Sequence, residues 1–339
     1  MARMVTHESS LPRRLAWLLL WLPGLFVAGV LYFHAGALAA AAFACALAGC
    51  AMRGHRRGAA LAALLVALGL AGWWRLAPAQ QRDWLEDVSR VPRVEREGDL
   101  LVFSQVRDFR YRGPDDSDPV PRWETRRYDP ARITGLDIFL SDWGAPGVVH
   151  TILSWRFAEG PPLAISIETR KEKGETYSAL AGFFRAYELI YVVGDERDLI
   201  GVRAAHRGER VSLYALGGRP GAARRLLEAY VEDINALAHT PRWYNALSTN
   251  CTTGILRLAR HVLGESRRLD WRIYANRSLP ALMREEGVIN TTLPLAELQS
   301  RADITARAIA ADGAADFSQR IRAGLPLPPP TPGEAVAPP

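Results

Sequence analysis

Three apolar runs stand at the head of the sequence. They constrain the fold more than any other feature, because backbone polar groups inside lipid are satisfied only within helices or closed barrels. Leu15 to Phe33 carries no charge and is long enough to cross a bilayer at about 1.5 Å per residue. Ala35 to Met52 is a second run. After the basic stretch Arg53-Gly-His-Arg-Arg57 comes a third, Ala59 to Trp74, which Leu76 and Ala77 complete, with Trp73 and Trp74 where an interfacial belt falls. The expectation is three transmembrane helices within residues 15–77. A cleaved signal peptide would not be followed at once by two more hydrophobic segments.

Charge sets the orientation. Arg3, Arg13 and Arg14 precede the first run, and Arg53, Arg56 and Arg57 separate the second from the third. The positive-inside rule puts both clusters in the cytoplasm, so residues 1–14 are a cytoplasmic N-terminus and everything after Trp74 lies outside. In a bacterium this describes a multi-pass inner-membrane protein with a periplasmic C-terminal domain. The net charge of +6 comes mostly from those six arginines, opposed before residue 58 only by Glu8. No basic stripe interleaved with aromatics follows, which argues against nucleic acid as a partner.

Residues 83–325 form one α+β domain in this reading. Strands are expected at Val102–Phe109, Ile133–Leu140, Val148–Phe157, Leu163–Glu168, Glu188–Val193, Leu199–Arg203 and Val211–Leu216, extending an antiparallel sheet. In Leu163-Ala-Ile-Ser-Ile-Glu168 the alternation is clean, with Ser166 and Glu168 sharing the polar face. Helices follow at Ala222–Leu237, from Cys251, around Leu279–Glu286 and across Leu295–Ala311. Residues 326–339 are proline-rich and are expected to be a disordered tail.

Cys45 and Cys50 fall in the second apolar run, so Cys251 has no intrachain partner in an oxidising compartment. Asn250 before it is a good N-cap, and Ile255, Leu258, Ala259 and Val262 recur at helical spacing after it. Cys251 would be the first helical residue, where free backbone N–H groups and the macrodipole favour thiolate over thiol. The plain alternative is a half-buried cysteine packed as a small hydrophobe.

A cysteine nucleophile needs a base. His206 lies in a polar turn, His239 at a helix end and His261 well along the Cys251 helix, which leaves His150 by elimination. Glu168, on the neighbouring strand, would orient the imidazole, or would instead pair with Arg170 two residues on. Glu196 and Arg203 invite an ion pair that is more structural than catalytic. Asn250 would cap the helix or complete the site, and the Cys251 N–H is available to an oxyanion. There is no Cys-x-x-Cys, His-Glu-x-x-His, Walker loop or Gly-x-Gly-x-x-Gly, and nothing suggests a metal site or cofactor.

With those residues in view, the chain resembles the family named for the N-terminal periplasmic domain of the lipoprotein N-acyltransferase Lnb. The segments carrying the likeness are Val106-Arg-Asp-Phe-Arg-Tyr111, His150-Thr-Ile-Leu-Ser154, Ile165-Ser-Ile-Glu-Thr-Arg170, Tyr187-Glu-Leu-Ile-Tyr191, Gly194-Asp-Glu-Arg-Asp198, and Trp243-Tyr-Asn245 leading into Asn250-Cys-Thr-Thr253. The order of histidine, acidic residue and Asn-Cys at a helix start also resembles circularly permuted papain-like (NlpC-like) enzymes, including lecithin:retinol acyltransferase relatives. The resemblance implies a cysteine-dependent acyltransferase. Cys251, deprotonated by His150, would take a fatty acyl group from an inner-membrane phospholipid and pass it to an amine such as a lipoprotein N-terminus. Two other functions use the same residues differently: a periplasmic cysteine amidase or peptidase resolving the acyl-enzyme with water, and a non-enzymatic membrane protein in which Cys251 is only packed. An apolar trough would favour lipid, and an open polar groove would favour hydrolysis.

Overall fold

The computed structural model describes residues 11–53, 55–113, 115–218, 221–264 and 270–327, so Arg3 and the proline-rich tail beyond Leu327 lie outside the described residues. The chain divides into two units. The first holds the N-terminal helices together with Ser178–Tyr187, and the second holds the remainder from Gln80 onward.

In the first unit α1 (Leu11–Ala35), α2 (Ala37–Met52) and α3 (His55–Arg75) follow one another. Gly36 alone joins α1 to α2, at a positive φ of 88° that turns the chain back. Two stretches, Trp17–Ala35 and Arg56–Arg75, are long and apolar enough to cross a membrane. The span expected second, α2, is shorter. The 16 residues of α2 cover about 24 Å, less than a hydrocarbon core of about 30 Å. Leu47 and Cys50 of α2 pack with Ala62 and Val66 of α3 and with Trp17 and Leu20 of α1. Small residues permit this, since a Cβ on Gly24 would come 2.9 Å from Leu47 Cδ1 and one on Gly69 would come 2.3 Å from Val27 Cγ1.

Ser178–Tyr187 belongs to the same unit although it is a hundred residues later in the chain. Its short helical turn Ala181–Phe184 places the Phe184 ring 5.2 Å from Phe26 and 5.3 Å from Phe33. His34 Nε2 hydrogen-bonds the Phe184 carbonyl at 2.9 Å, and Arg185 donates to the Trp73 carbonyl while lying 4.1 Å above the Trp73 ring. Phe33 and His34 close α1, whereas Trp73 and Trp74 close α3. Both helices therefore end on one side, and α2 makes the return.

The second unit is built on strands β1 (Arg93–Glu97), β2 (Leu100–Arg107), β3 (Arg110–Tyr111), β4 (Pro119–Val120), β5 (Trp123–Tyr128), β6 (Ile133–Asp142), β7 (His150–Phe157), β8 (Leu163–Arg170), β9 (Glu188–Gly194) and β10 (Arg210–Leu216). The main sheet runs β1-β2-β9-β8-β7-β6-β10, with β5 also on β2. It is mixed rather than wholly antiparallel as expected, because β2 meets β9 in parallel at Arg107 and Gly194. Helices cover both faces. On one, Ile167 of β8 sits under α6 (Cys251–Leu263), and the Tyr230 ring of α5 (Ala222–His239) packs 5.1 Å from Trp155. On the other, Phe139, Ile152, Ala164 and Ile190 pack against α4 (Glu196–Leu199), α9 (Thr305–Ala310) and α10 (Phe317–Arg320). The remaining helices are α7 (Leu279–Glu285) and α8 (Leu295–Ala302).

Two expected elements differ. Leu199–Arg203 is not a strand, because Asp195 caps α4 by accepting from Arg197 N, and the chain continues as a π-helical turn over Val202–His206. The helix expected across Leu295–Ala311 is broken at Asp303, whose carboxylate accepts from Thr305 N and so starts α9 afresh.

Candidate active site

Cys251 is the first residue of α6, as its sequence context predicts. Asn250 accepts from Thr252 N at 2.9 Å and Thr253 N at 2.8 Å, while Thr253 Oγ1 accepts from Asn250 N, closing a capping box. The Asn250 amide also donates to the Ala246 carbonyl at 2.6 Å, so both ends of this side chain are committed to the turn. One helical turn on, Gly254 lets α6 lie against β8; a Cβ there would come 2.7 Å from Ile167 Cδ1. The cap and the glycine together fix where the thiol stands.

His150 opens β7. Its Nε2 is 2.7 Å from Ser166 Oγ and 3.1 Å from Glu168 Oε1, and the hydroxyl of its neighbour Thr151 lies 3.3 Å from that of Thr252, the neighbour of Cys251. Ser166 and Glu168 alternate on one face of β8, and Ser166 Oγ donates to Glu168 Oε1 at 2.7 Å. Arg203 reaches the same oxygen at 2.6 Å from the π-helical turn and is itself 4% exposed. A buried cation, a hydroxyl and an imidazole thus converge on one carboxylate.

The charges follow from this geometry. Burial disfavours the charged form of every member, but the Glu168 carboxylate and then the Cys251 thiol outweigh it at His150 and push the imidazole up to about 9. Burial acts on Cys251 in the raising direction, and His150, followed by Thr151, overcomes it and brings the thiol down to about 7. Burial likewise opposes Glu168, yet His150 and Arg203 hold it well below the usual carboxylate range. Between those limits the resting pair is thiolate and imidazolium, the form competent for attack on an acyl carbon.

Further residues complete the surroundings. Tyr244 is buried and hydrogen-bonded to Tyr177, and burial together with the Cys251 charge raises its phenol so that it stays protonated. Asn276, 3% exposed, clamps the Val149 peptide by accepting from its N–H at 2.7 Å and donating to its carbonyl at 2.6 Å. The same amide donates to Thr252 Oγ1 at 2.6 Å, and that hydroxyl faces Thr151 Oγ1 at 3.3 Å. Tyr177, Tyr244, Thr151, Thr252 and Asn276 were not singled out from sequence. Only the shared polar face of Ser166 and Glu168 gave a readable signal.

Arg170 and Glu196 lie elsewhere. Arg170 does not pair with Glu168; it donates to the Val88 and Ser89 carbonyls and lies 4.3 Å from the Trp84 ring, bracing the start of the unit against β8. Glu196 does not pair with Arg203; fully buried, it accepts from Ser154 and from Arg322.

A cavity of about 970 Å³, which neither Cys251 nor His150 lines, lies among the start of α5, α6, α7 and the sheet. Leu136, Leu153, Ile255, Leu279 and Met283 are among its apolar lining, Arg156, Arg224, Arg260 and Glu286 are charged, and it also takes in Thr151 and Thr252, the residues next to His150 and Cys251.

Residues 120–277 match the family model described as the Lnb N-terminal periplasmic domain. The match holds His150, Ser166, Glu168, Arg203, Tyr244, Cys251 and Asn276; it begins after the Val106–Tyr111 segment and runs past Thr253. No curated protein and no solved structure matches the chain. A periplasmic-domain family together with two apolar N-terminal helices is consistent with anchoring in a membrane.

Proposed function

We propose that this chain, similar to the Lnb periplasmic domain over residues 120–277, is a membrane-anchored thiol acyltransferase. The observation that carries the reading is that the Thr151–Thr252 contact brings together the residues beside them, His150 and the helix-start Cys251, while Ser166 and Glu168 hold His150 Nε2. The order of these residues along the chain is the one expected of a permuted papain-like site.

In the first half-reaction the Cys251 thiolate attacks the ester carbonyl carbon of a phospholipid, forming a C–S bond. The developing oxyanion meets the Cys251 N–H, which at the first helical position has no acceptor within its own helix. The C–O bond breaks, and the His150 imidazolium gives its proton to the departing lysophospholipid alcohol. In the second half-reaction a neutral amine attacks the thioester and yields a proton to His150. The C–N bond forms, the C–S bond breaks, and thiolate and imidazolium are restored. Glu168 and Arg203 keep the imidazole in one orientation through both halves.

Leu136, Leu153, Ile255, Leu279 and Met283 give the cavity that Thr151 and Thr252 also line an apolar wall long enough for an acyl chain, with Arg156, Arg224, Arg260 and Glu286 as its charged lining. Trp17–Ala35 and Arg56–Arg75 are long and apolar enough to anchor the chain, and the family match is to a periplasmic domain. Together these support a periplasmic site on a membrane-anchored protein. The acceptor class is an amine such as a lipoprotein N-terminus.

The test is transfer in proteoliposomes from a deuterium-labelled acyl phospholipid to a lipopeptide amine. Labelled amide is expected with the wild type and not with Cys251→Ala. Free fatty acid in place of amide would show hydrolysis instead, and equal labelling by the variant would refute the thioester route.

A further inference from the structure

Outside the anchor unit, the large apolar side chains left exposed are not scattered. Trp143, Val148, Tyr177, Leu247, Trp271 and Tyr274 are between 37% and 66% exposed, and among the described residues of the second unit only Ile309 and Leu327 join them. The six sit on four loops. Trp143 and Val148 are on the β6–β7 loop that ends at His150, Tyr177 follows β8, Leu247 is in the turn that ends at Cys251, and Trp271 and Tyr274 precede Asn276.

These loops are fastened to one another. The Trp143 and Tyr177 rings meet edge to face at 6.3 Å, and Tyr177 hydrogen-bonds Tyr244 beside the thiol. Arg277 donates to Asp142 at 2.7 Å and to the Ala145 carbonyl at 2.9 Å, while Asn276 holds Val149. In the Leu247 turn, Asn245 accepts from Leu247 N and Ser248 N at 3.0 Å each. The aromatics are therefore held in place while pointing into solvent. Trp and Tyr, with one apolar body and one polar tip, suit the boundary between acyl chains and headgroups.

We propose that these four loops form a collar that docks on the bilayer surface around the mouth of the Cys251 site. The bilayer is the occupant for a reason of chain continuity. Tyr177 is followed directly by Ser178, the first residue of the segment whose Phe184 and Arg185 pack against Phe26, Phe33 and Trp73 of the apolar helices. One edge of the collar is covalently next to residues that travel with the anchor. The collar spares the acyl group a passage through water, and it holds whether or not the thiol turns over.

The test places p-benzoylphenylalanine at position 143, 271 or 274 of the full chain, and at Ile309 as the exposed control. Each is made on a Cys251→Ala background so that no thioester contributes, then reconstituted in vesicles of phosphatidylethanolamine and phosphatidylglycerol and irradiated. Peptide mass spectrometry should find phospholipid adducts at 143, 271 and 274, at least ten times as abundant as at 309. Adducts equal at all four positions would overturn the proposal. So would crosslinks from 271 or 274 into this same polypeptide without lipid, which would show that the collar is covered by protein.

Discussion

The face of the sheet that carries His150 holds two clusters made from the same parts. In one, Ser166, Glu168 and Arg203 come together; in the other, Ser154, Glu196 and Arg322 do. Their difference lies in what fills the remaining place. Around Glu168 it is His150, and the carboxylate keeps 23% of its side chain exposed. Around Glu196 a second carboxylate, Asp137, shares Arg322 at 2.7 Å, and Glu196 is sealed from solvent. Burial raises Asp137 against the pull of Arg322 and Arg156, whereas Glu168 is held low. A buried Ser–Glu–Arg set is thus a structural clamp when a carboxylate closes it. It becomes a device for holding an imidazolium when a histidine does.

Substitution separates the two. The largest effect is expected at the thiol and its partner: Cys251→Ser and His150→Ala should each lower acyl transfer by about 10⁴-fold or more, with unchanged circular dichroism. In His150→Ala the pH midpoint of iodoacetamide alkylation should move upward from about 7, because burial then acts on the thiol without the imidazolium. Next, Glu168→Gln keeps the shape and removes the charge, and should cost about 10²-fold in transfer with a matching rise of the alkylation midpoint. Glu196→Gln should do the reverse. Activity per folded molecule should stay within a few-fold of wild type, while unfolding free energy falls by about 1.5–3 kcal/mol as Arg322 loses one of its two carboxylate partners and keeps Asp137. If Glu196→Gln abolished transfer without lowering stability, the clamp reading would be wrong.

The pH profile sharpens the same comparison. Transfer should rise with the loss of the thiol proton around pH 7 and fall with the loss of the imidazolium proton around pH 9. Alkylation, which needs only the thiolate, should rise around pH 7 and stay high. The smallest effect belongs to the cap: Asn250→Ala should cost about 1 kcal/mol of stability and Asn250→Asp much less, measured by urea denaturation.

What the sequence made legible were features written into short stretches of chain. Asn250 next to Cys251, the helical spacing after it, the alternation of β8 and the apolar runs all act locally. His150 came by elimination and Glu168 with an alternative attached. The pairing of Arg203 with Glu168 was not legible, because it depends on a π-helical turn where the β-rich run Leu199–Arg203 suggested a strand. Asn276 was equally hidden, since a buried amide clamping a peptide 127 residues away leaves no local pattern. In Ser178–Tyr187 a signal did exist: Phe183, Phe184 and Arg185 in a loop have the composition of a membrane interface.

The most direct measurement of the central claim is intact mass spectrometry of the full chain after incubation with phospholipid vesicles, before and after neutral hydroxylamine. One fatty-acyl increment on the wild type, removed by hydroxylamine and missing from Cys251→Ser, is the predicted result. The absence of any increment, with a Cys251 that still alkylates near pH 7, would contradict acyl transfer from phospholipid.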